Sequence, residues 1–449
     1  MSVADRQGTD EPAAGDGRMT LDEAVAYGLQ RHQAGDLGLA RRVYEAVLER
    51  DPQRVDALNG LGILQYQCGE HDDAAATLRR LLELQPEADG VWNNLGNVLL
   101  KKGDVIDAGE AFKRSLQLAP NADAWANLAR VYRRLGDLPV SEMACRQALA
   151  LAPGHGPATH NLAVALLGQR RIDEGVQAAL EAMQMLPPRE RRRQTYVQYL
   201  LVAEEPAAAA RILRAWQQQE PDNAYVLHHL AACEGGAMPE RASDDYVEHE
   251  FDAFANVFDT TLARLHYRAP EIVAEAVARA LPAAARQFDI VDLGCGTGLC
   301  GPLLAPWART LVGCDLSAGM LTRAADRGVY DELRKAELTA FMRERPQSFD
   351  LAVSADTLNY FGELGDVAQA VHATLRPGGT LVFTLEALPA GDSEVVRLMP
   401  HGRYAHDAAH ARRVFEAAGL VVDVPERAVL REENKIPVQG WLVTARRPA

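Results

Sequence analysis

The 449 residues predict two architectures in series: a helical solenoid, then an open α/β sheet of mostly parallel strands. Two observations carry this. Prolines recur at Pro52, Pro86, Pro120, Pro153, Pro187 and Pro221, spaced 34, 34, 33, 34 and 34 residues apart, each closing an apolar helical segment. Beyond residue 245 the pattern changes to short apolar runs. The first of these, Phe288-Asp289-Ile290-Val291-Asp292-Leu293, breaks into Gly294-Cys295-Gly296-Thr297-Gly298 and then a helix-compatible segment.

Composition bounds the function. The 62 acidic against 47 basic residues give a net charge of -15, which argues against a general binder of nucleic-acid phosphates. No apolar run approaches a membrane span, and Met1 to Arg18 lack a signal-peptide pattern, reading instead as a disordered tail. The six cysteines show no C-x-x-C pairing, so they read as small buried thiols of a cytoplasmic protein, and no metal triad emerges.

Residues 19–235 form the repeat region. Small residues recur on each first helix (Leu61-Gly62, Leu95-Gly96, Leu128-Ala129, Leu162-Ala163), opposite larger ones on the second (Tyr44, Leu78, Phe112). Small positions let paired helices cross closely, and large ones fill the space between repeats. Gly35, Gly69, Gly103 and Gly136 mark the turns within repeats. The period resembles tetratricopeptide repeats: five clear ones, a degenerate sixth around Gln194 to Pro221, and a closing helix from Asn223 to Cys233.

Glycine and proline break the period at Glu234 to Glu240, so residues 236–244 read as a linker and 245–449 as the second domain. It opens with an amphipathic helix, Tyr246 to Asp259, whose aromatics fit either a cofactor-covering lid or simple docking on the sheet. The helix Pro270 to Leu281 follows, and then the glycine-rich turn. Backbone N–H groups at such a turn face a ligand. Gly296 to Gly301 also spells the G-x-G-x-x-G of dinucleotide sites. Asp292, however, puts a carboxylate where a pyrophosphate would be repelled and a cation welcomed.

The order Asp292-x-Gly294-x-Gly296-x-Gly298 resembles the first motif of class I S-adenosylmethionine-dependent methyltransferases. Leu311 to Ser317 resembles that family's second strand, Phe349 to Ala355 its fourth, and Leu375-Arg376-Pro377-Gly378-Gly379 the entry to its fifth. The resemblance implies a Rossmann-like sheet with an antiparallel terminal strand, which the segments Leu420 to Glu432 and Val438 to Arg446 would supply. It implies S-adenosylmethionine as cofactor. Its site would be formed by Asp292, Gly294, Cys295, Gly296 and Gly298 after the first strand, Asp315 and Leu316 after the second, Glu337 and Leu338 after the third, and Ser354 and Asp356 after the fourth.

Ligands in open α/β sheets bind beyond the strands' carboxyl ends. Acceptor candidates are therefore Tyr360 after the fourth strand and His401, Arg403, Tyr404 and His406 after the fifth, with Arg403 pairing an acceptor carboxylate and a histidine as base. The bland alternative is a helix cap at His406-Asp407 with Tyr404 packed on the sheet. On the repeats, Asn94, Asn127 and Asn161 share one position, resembling the asparagine ladder in the tetratricopeptide arm of O-linked GlcNAc transferase. With Asn97, Lys101, Arg130 and Arg134 they would bind an acidic peptide or carboxylate on the concave face. The expectation is a methyltransferase whose peptide or protein acceptor the repeats recruit. The alternatives are a small-molecule methyltransferase with a separate partner, and a non-catalytic cofactor-binding scaffold.

Overall fold

A computed structural model of the chain describes residues 19–188, 190–235, 238–282, 286–433 and 435–449. The tail read over residues 1–18 lies outside them. The chain divides into two compact units, the first ending at Tyr199 and the second beginning at Leu200. This division falls within the helix Glu190–Val202, well before residue 236, so the helices Pro206–Gln217 and Ala224–Glu234 belong to the second unit.

The first unit contains five antiparallel helix pairs: Leu21–Gln33 with Leu37–Arg50, Val55–Gln67 with His71–Leu84, Asp89–Lys102 with Val105–Leu118, Ala122–Arg134 with Leu138–Leu151, and Gly156–Gly168 with Ile172–Met185. The small-against-large reading holds in detail. A Cβ on Gly62 would lie 2.8 Å from Leu78, and one on Gly96 would lie 2.6 Å from Phe112. Only the absent side chain lets each second helix approach so closely. The four turn glycines all take φ near +80° to +100°, where any other residue is strained.

The second unit is built on a ten-stranded sheet, with β1 Phe288–Leu293, β2 Ala308–Asp315, β3 Glu332–Lys335, β4 Phe349–Ser354, β5 Leu375–Ala387, β6 Val396–Leu398, β7 Tyr404–His406, β8 Val421–Val422, β9 Glu426–Glu433 and β10 Ile436–Arg446. The main order is β3-β2-β1-β4-β5-β10-β8. Strands β1 to β5 are parallel, and β10 runs antiparallel to β5 and pairs on with β9. Apolar stretches such as Ile290-Val291 and Leu351–Val353 are buried because helices cover both faces.

Three features depart from the expectation. The leading helix is broken: Asp244–Phe254 ends, and Phe258–Arg264 begins in a new direction. The run Pro400 to His406 is not an open loop, because its last three residues form β7, parallel to β5 and antiparallel to β6. The stretch read as a linker is partly pinned to the sheet: Ala242 donates to the Tyr360 carbonyl at 2.8 Å, and Gly362 donates to that of Glu240 at 2.8 Å. Four of the six cysteines are buried, but Cys68 is exposed. No helix among the described residues is long and apolar enough to cross a membrane.

Candidate functional site

At the carboxyl ends of β1, β2, β3 and β4 the sheet opens into a cavity of about 360 Å³. Its first wall is the turn after β1. Gly294, Gly296 and Gly298 have φ of +69°, +55° and +79°, and a Cβ on Gly294 would lie 2.2 Å from the Thr357 side chain. Gly296 has no atom within 4 Å of its missing Cβ, so its backbone stands open to the cavity. Such a turn gives a ligand close access to main-chain N–H groups.

Two carboxylates frame this turn. Asp292 is 1% exposed, and burial pushes its pKa up to about 7, aided by the charge of Asp315 and opposed by the Tyr330 hydroxyl, which donates to it at 2.7 Å. Asp315, at the end of β2, accepts from Gly296 N at 2.9 Å through one oxygen and from Ser317 N at 2.8 Å through the other. Burial raises its pKa too, against the pull of those N–H groups. A rigid, desolvated carboxylate 19 residues beyond the open glycine, and joined to it by a hydrogen bond, suits a vicinal diol. Cys295, Leu316, Glu337, Leu338 and Asp356 also line the cavity.

Two expected cofactor contacts are absent. Ser354 is fully buried, its hydroxyl donating to the Leu293 carbonyl at 3.0 Å, so it ties β4 to β1 rather than facing the cavity. Gly298 does not line the cavity either; it packs against Tyr330 and Ala324 and serves the turn's shape. Glu337 reaches the wall but is engaged as a helix cap, accepting from Thr339 N at 3.0 Å and Ala340 N at 2.8 Å.

This geometry agrees with the chain's similarity to known proteins. A methyltransferase-domain family model matches residues 291–383, and tetratricopeptide-repeat models match residues 31–95, 68–123 and 93–156. Methyltransferase-like protein 27 of Homo sapiens is 32% identical over 167 residues, covering 34% of this chain and 68% of that protein. The chain belongs to the class I S-adenosylmethionine-dependent methyltransferases. A probable 18S rRNA (guanine-N(7))-methyltransferase of Dictyostelium discoideum is 24% identical, covering 42% of this chain and 63% of that one. Six further curated relatives are matched over 35% to 64% of their length.

Among solved structures, an S-adenosylmethionine-dependent methyltransferase from Mesorhizobium loti is similar at 26% identity and a TM-score of 0.32, over 40% of this chain and 98% of that one. The Pseudomonas aeruginosa pilF structure is similar at 20% identity and a TM-score of 0.40, over 47% of this chain and 96% of that one. The methyltransferase-domain match and the curated relatives imply S-adenosylmethionine as methyl donor, and the repeat matches show that the chain carries tetratricopeptide repeats.

The far end of the methyltransferase cavity differs from the sequence expectation. Arg403 lines it, but its Nε donates to Glu386 and its Nη2 to Glu433 at 2.6 Å. Arg403 is thus committed to protein carboxylates and not available to an acceptor's. Tyr404 and His406 point away from the cavity. The Tyr404 hydroxyl donates to the Pro239 carbonyl at 2.9 Å, and fully buried His406 places Nε2 2.9 Å from the Phe361 carbonyl. Alternation along β7 puts both side chains on the face opposite Arg403's neighbour position, inside the core.

His401 lies 3.5 Å from Glu386, outside the cavity wall, its pKa lowered to about 4 by burial and by the Arg403 charge. Its loop is held from behind: His228 Nε2 lies 2.7 Å from the Gly402 carbonyl, and His229 Nδ1 lies 3.3 Å from that of Pro400. Of the five acceptor candidates, Tyr360 and Arg403 reach the cavity.

Sequence reasoning missed Arg431 and Glu433 on β9, which complete the charged wall. Arg431 is 3% exposed; Nε donates to Glu433 at 2.8 Å, Nη1 to Asp356 at 2.6 Å, and Nη2 to Glu386. The visible signal was two charges spaced by two on a terminal strand, which places both on one face. Asp356 sits at φ +62°, its N–H held by the Thr384 hydroxyl at 2.8 Å and its other oxygen by Asn359. Phe251, Phe254, Phe258 and Tyr360 line the same cavity, in edge-to-face contact at 5.5 to 6.1 Å. The broken leading helix therefore forms a wall of the cavity, and Asp252 docks it by accepting from Ser317 and, at 2.9 Å, from Gly319 N.

In the first unit, the expected ladder is only partly free. Asn161 is 3% exposed and donates to the Ala126 carbonyl at 2.9 Å, a bond between adjacent repeats. Asn127 donates to Asn93 at 3.0 Å and accepts from Arg130 at 3.1 Å, while Arg134 caps the Leu100 carbonyl at 2.7 Å. Asn94, Asn97 and Lys101 remain on the first-helix face, half-buried or exposed. A further group was not foreseen: His160 pairs with the Tyr196 hydroxyl at 2.7 Å, its pKa lowered to about 4 by burial and then by Arg192, Arg133 and Arg130.

Proposed function

We propose that this enzyme methylates a peptide or protein acceptor that its repeats recruit. The observation supporting recruitment is the gathering of Arg130, Arg133 and Arg192 around His160 on the first-helix face, with Lys101 and Arg134 on the preceding helices. On a chain of net charge -15, this is a local surplus of cations. Burial first, and then these positive charges, keep His160 neutral, and an anionic segment laid on the face would offset the charges. Half-buried Asn94 and Asn97 stand beside it to pair with a bound backbone.

Catalysis under this reading needs little beyond positioning. The methyl donor's leaving sulfur is already activated by its charge, so holding nucleophile and methyl group in line with water excluded supplies most of the acceleration. Asp292 and Asp315 orient the donor, and the aromatic wall excludes water.

The test uses the full chain, methyl-labelled S-adenosylmethionine and extract of the native cell. Label should enter the protein fraction, and Lys101→Glu with Arg130→Glu should reduce it at least about tenfold while S-adenosylhomocysteine affinity is unchanged. Label found only among small molecules, insensitive to those changes, would establish the small-molecule alternative. That alternative draws on the aromatic wall, which suits a flat apolar acceptor as well.

A further inference from the structure

The charged wall of the methyltransferase cavity does not balance. Three carboxylates, Asp356, Glu386 and Glu433, share two guanidiniums, Arg403 and Arg431. Each nitrogen of Arg431 donates to a different one of the three, so this side chain is engaged by the protein's own carboxylates. His401, whose pKa is lowered to about 4, is neutral near pH 7 and adds no charge. One negative charge is left over, in a site where isolated charge is costly.

The leftover charge sits at Asp356. Glu386 is held well below the usual carboxylate range by both arginines, and Glu433 is lowered by the same pair. Asp356, by contrast, is raised, because burial outweighs the help it receives from Arg431. Its backbone is held in the left-handed region at φ +62°, a conformation uncommon outside glycine and one that concentrates at functional sites. Lining the same cavity are Phe251, Phe254, Phe258 and Tyr360, with Glu250 on the same helix as the first two. Aromatic faces and a carboxylate together make a site for an organic cation.

Resting on the methyltransferase reading of this cavity, we infer that the methyl acceptor is an amine, bound as its ammonium between the aromatic wall and Asp356. One ammonium proton passes to the Asp356 carboxylate. The freed nitrogen lone pair bonds to the donor's methyl carbon as the carbon–sulfur bond breaks, its electron pair remaining on sulfur. The products are a methylated ammonium and neutral S-adenosylhomocysteine, and the proton on Asp356 returns to water. The arginines' role is to make three carboxylates tolerable together, not to read an acceptor carboxylate.

The test measures binding, with full-length protein saturated with S-adenosylhomocysteine and titrated calorimetrically with 2-phenylethylamine, 2-phenylethanol and phenylacetate at pH 7. The amine should bind at least roughly tenfold more tightly than the alcohol, and the carboxylate weakest of all. Asp356→Asn should remove the amine's advantage. Phe251→Leu, which leaves the charge network untouched, should reduce it as well. Equal or tighter binding of the alcohol or the carboxylate, or no advantage for the amine, overturns the inference. Failure to bind S-adenosylhomocysteine at all would instead count against the cofactor site.

Discussion

Asp292 should couple proton release to cofactor binding, and the size of the effect follows from its environment. The carboxyl is buried and its pKa stands at about 7, against about 3.9 for an aspartate in an unfolded chain. Between those values the folded state binds more protons than the unfolded state, so stability falls as pH rises from about 4 to about 7. The full span is worth about 4 kcal/mol, at about 1.4 kcal/mol for each unit. A cationic ligand group beside Asp292 favours the ionised form, so ligand affinity must rise with pH over the same window.

With Asp292 half ionised at pH 7 and about a tenth ionised at pH 6, S-adenosylhomocysteine should bind about fivefold more weakly at pH 6. Calorimetry in two buffers of different ionisation enthalpy should show about half a proton released per ligand at pH 7 and close to one at pH 6. Asp292→Asn should flatten both dependences. Affinity that is constant from pH 6 to pH 7.5 with no proton release, or an unchanged slope in the Asn variant, would refute the coupling.

Replacing Asp315 by Ala removes the proposed diol contact and leaves Gly296 N and Ser317 N without their acceptor. S-adenosylhomocysteine binding should weaken by about 2 to 4 kcal/mol, read by calorimetry. Gly294→Ala forces a Cβ to 2.2 Å from Thr357 at φ +69°; strain and overpacking together should destabilise the methyltransferase unit by about 2 to 4 kcal/mol, measured by chemical denaturation. Arg431→Met leaves three clustered carboxylates, of which Glu386 is buried, with one guanidinium. It should destabilise by about 3 to 5 kcal/mol at pH 8, and less toward pH 5 as the carboxylates take up protons. Asn161→Ala should reduce stability by about 1 to 2 kcal/mol through loss of its inter-repeat hydrogen bond to the Ala126 carbonyl, without changing capture of an acidic peptide.

The division between what was legible and what was not follows the range of each interaction. The 34-residue period, the turn glycines and the small-against-large helix positions are local, so Gly62 against Leu78 and Gly96 against Phe112 could be read from spacing. The glycine turn with Asp292 and Asp315 could be read too, because backbone conformation dictates its residue types. The acceptor end could not. Arg403 sat in a run rich in polar chemistry, but whether it met an acceptor or a carboxylate depended on Glu386, 17 residues earlier, and Glu433, 30 residues later.

His406 and Tyr404 became core residues only because β7 pairs with β5 and turns them inward. Asn161 shares its repeat position with Asn127, yet the neighbouring repeat's backbone claims its amide. The order of elements and the glycine turn after β1 were set by the sequence through periodicity and backbone preference. The partners of each buried charge were decided only when strands distant in the chain came side by side, since desolvation and ion pairing depend on what is adjacent in space.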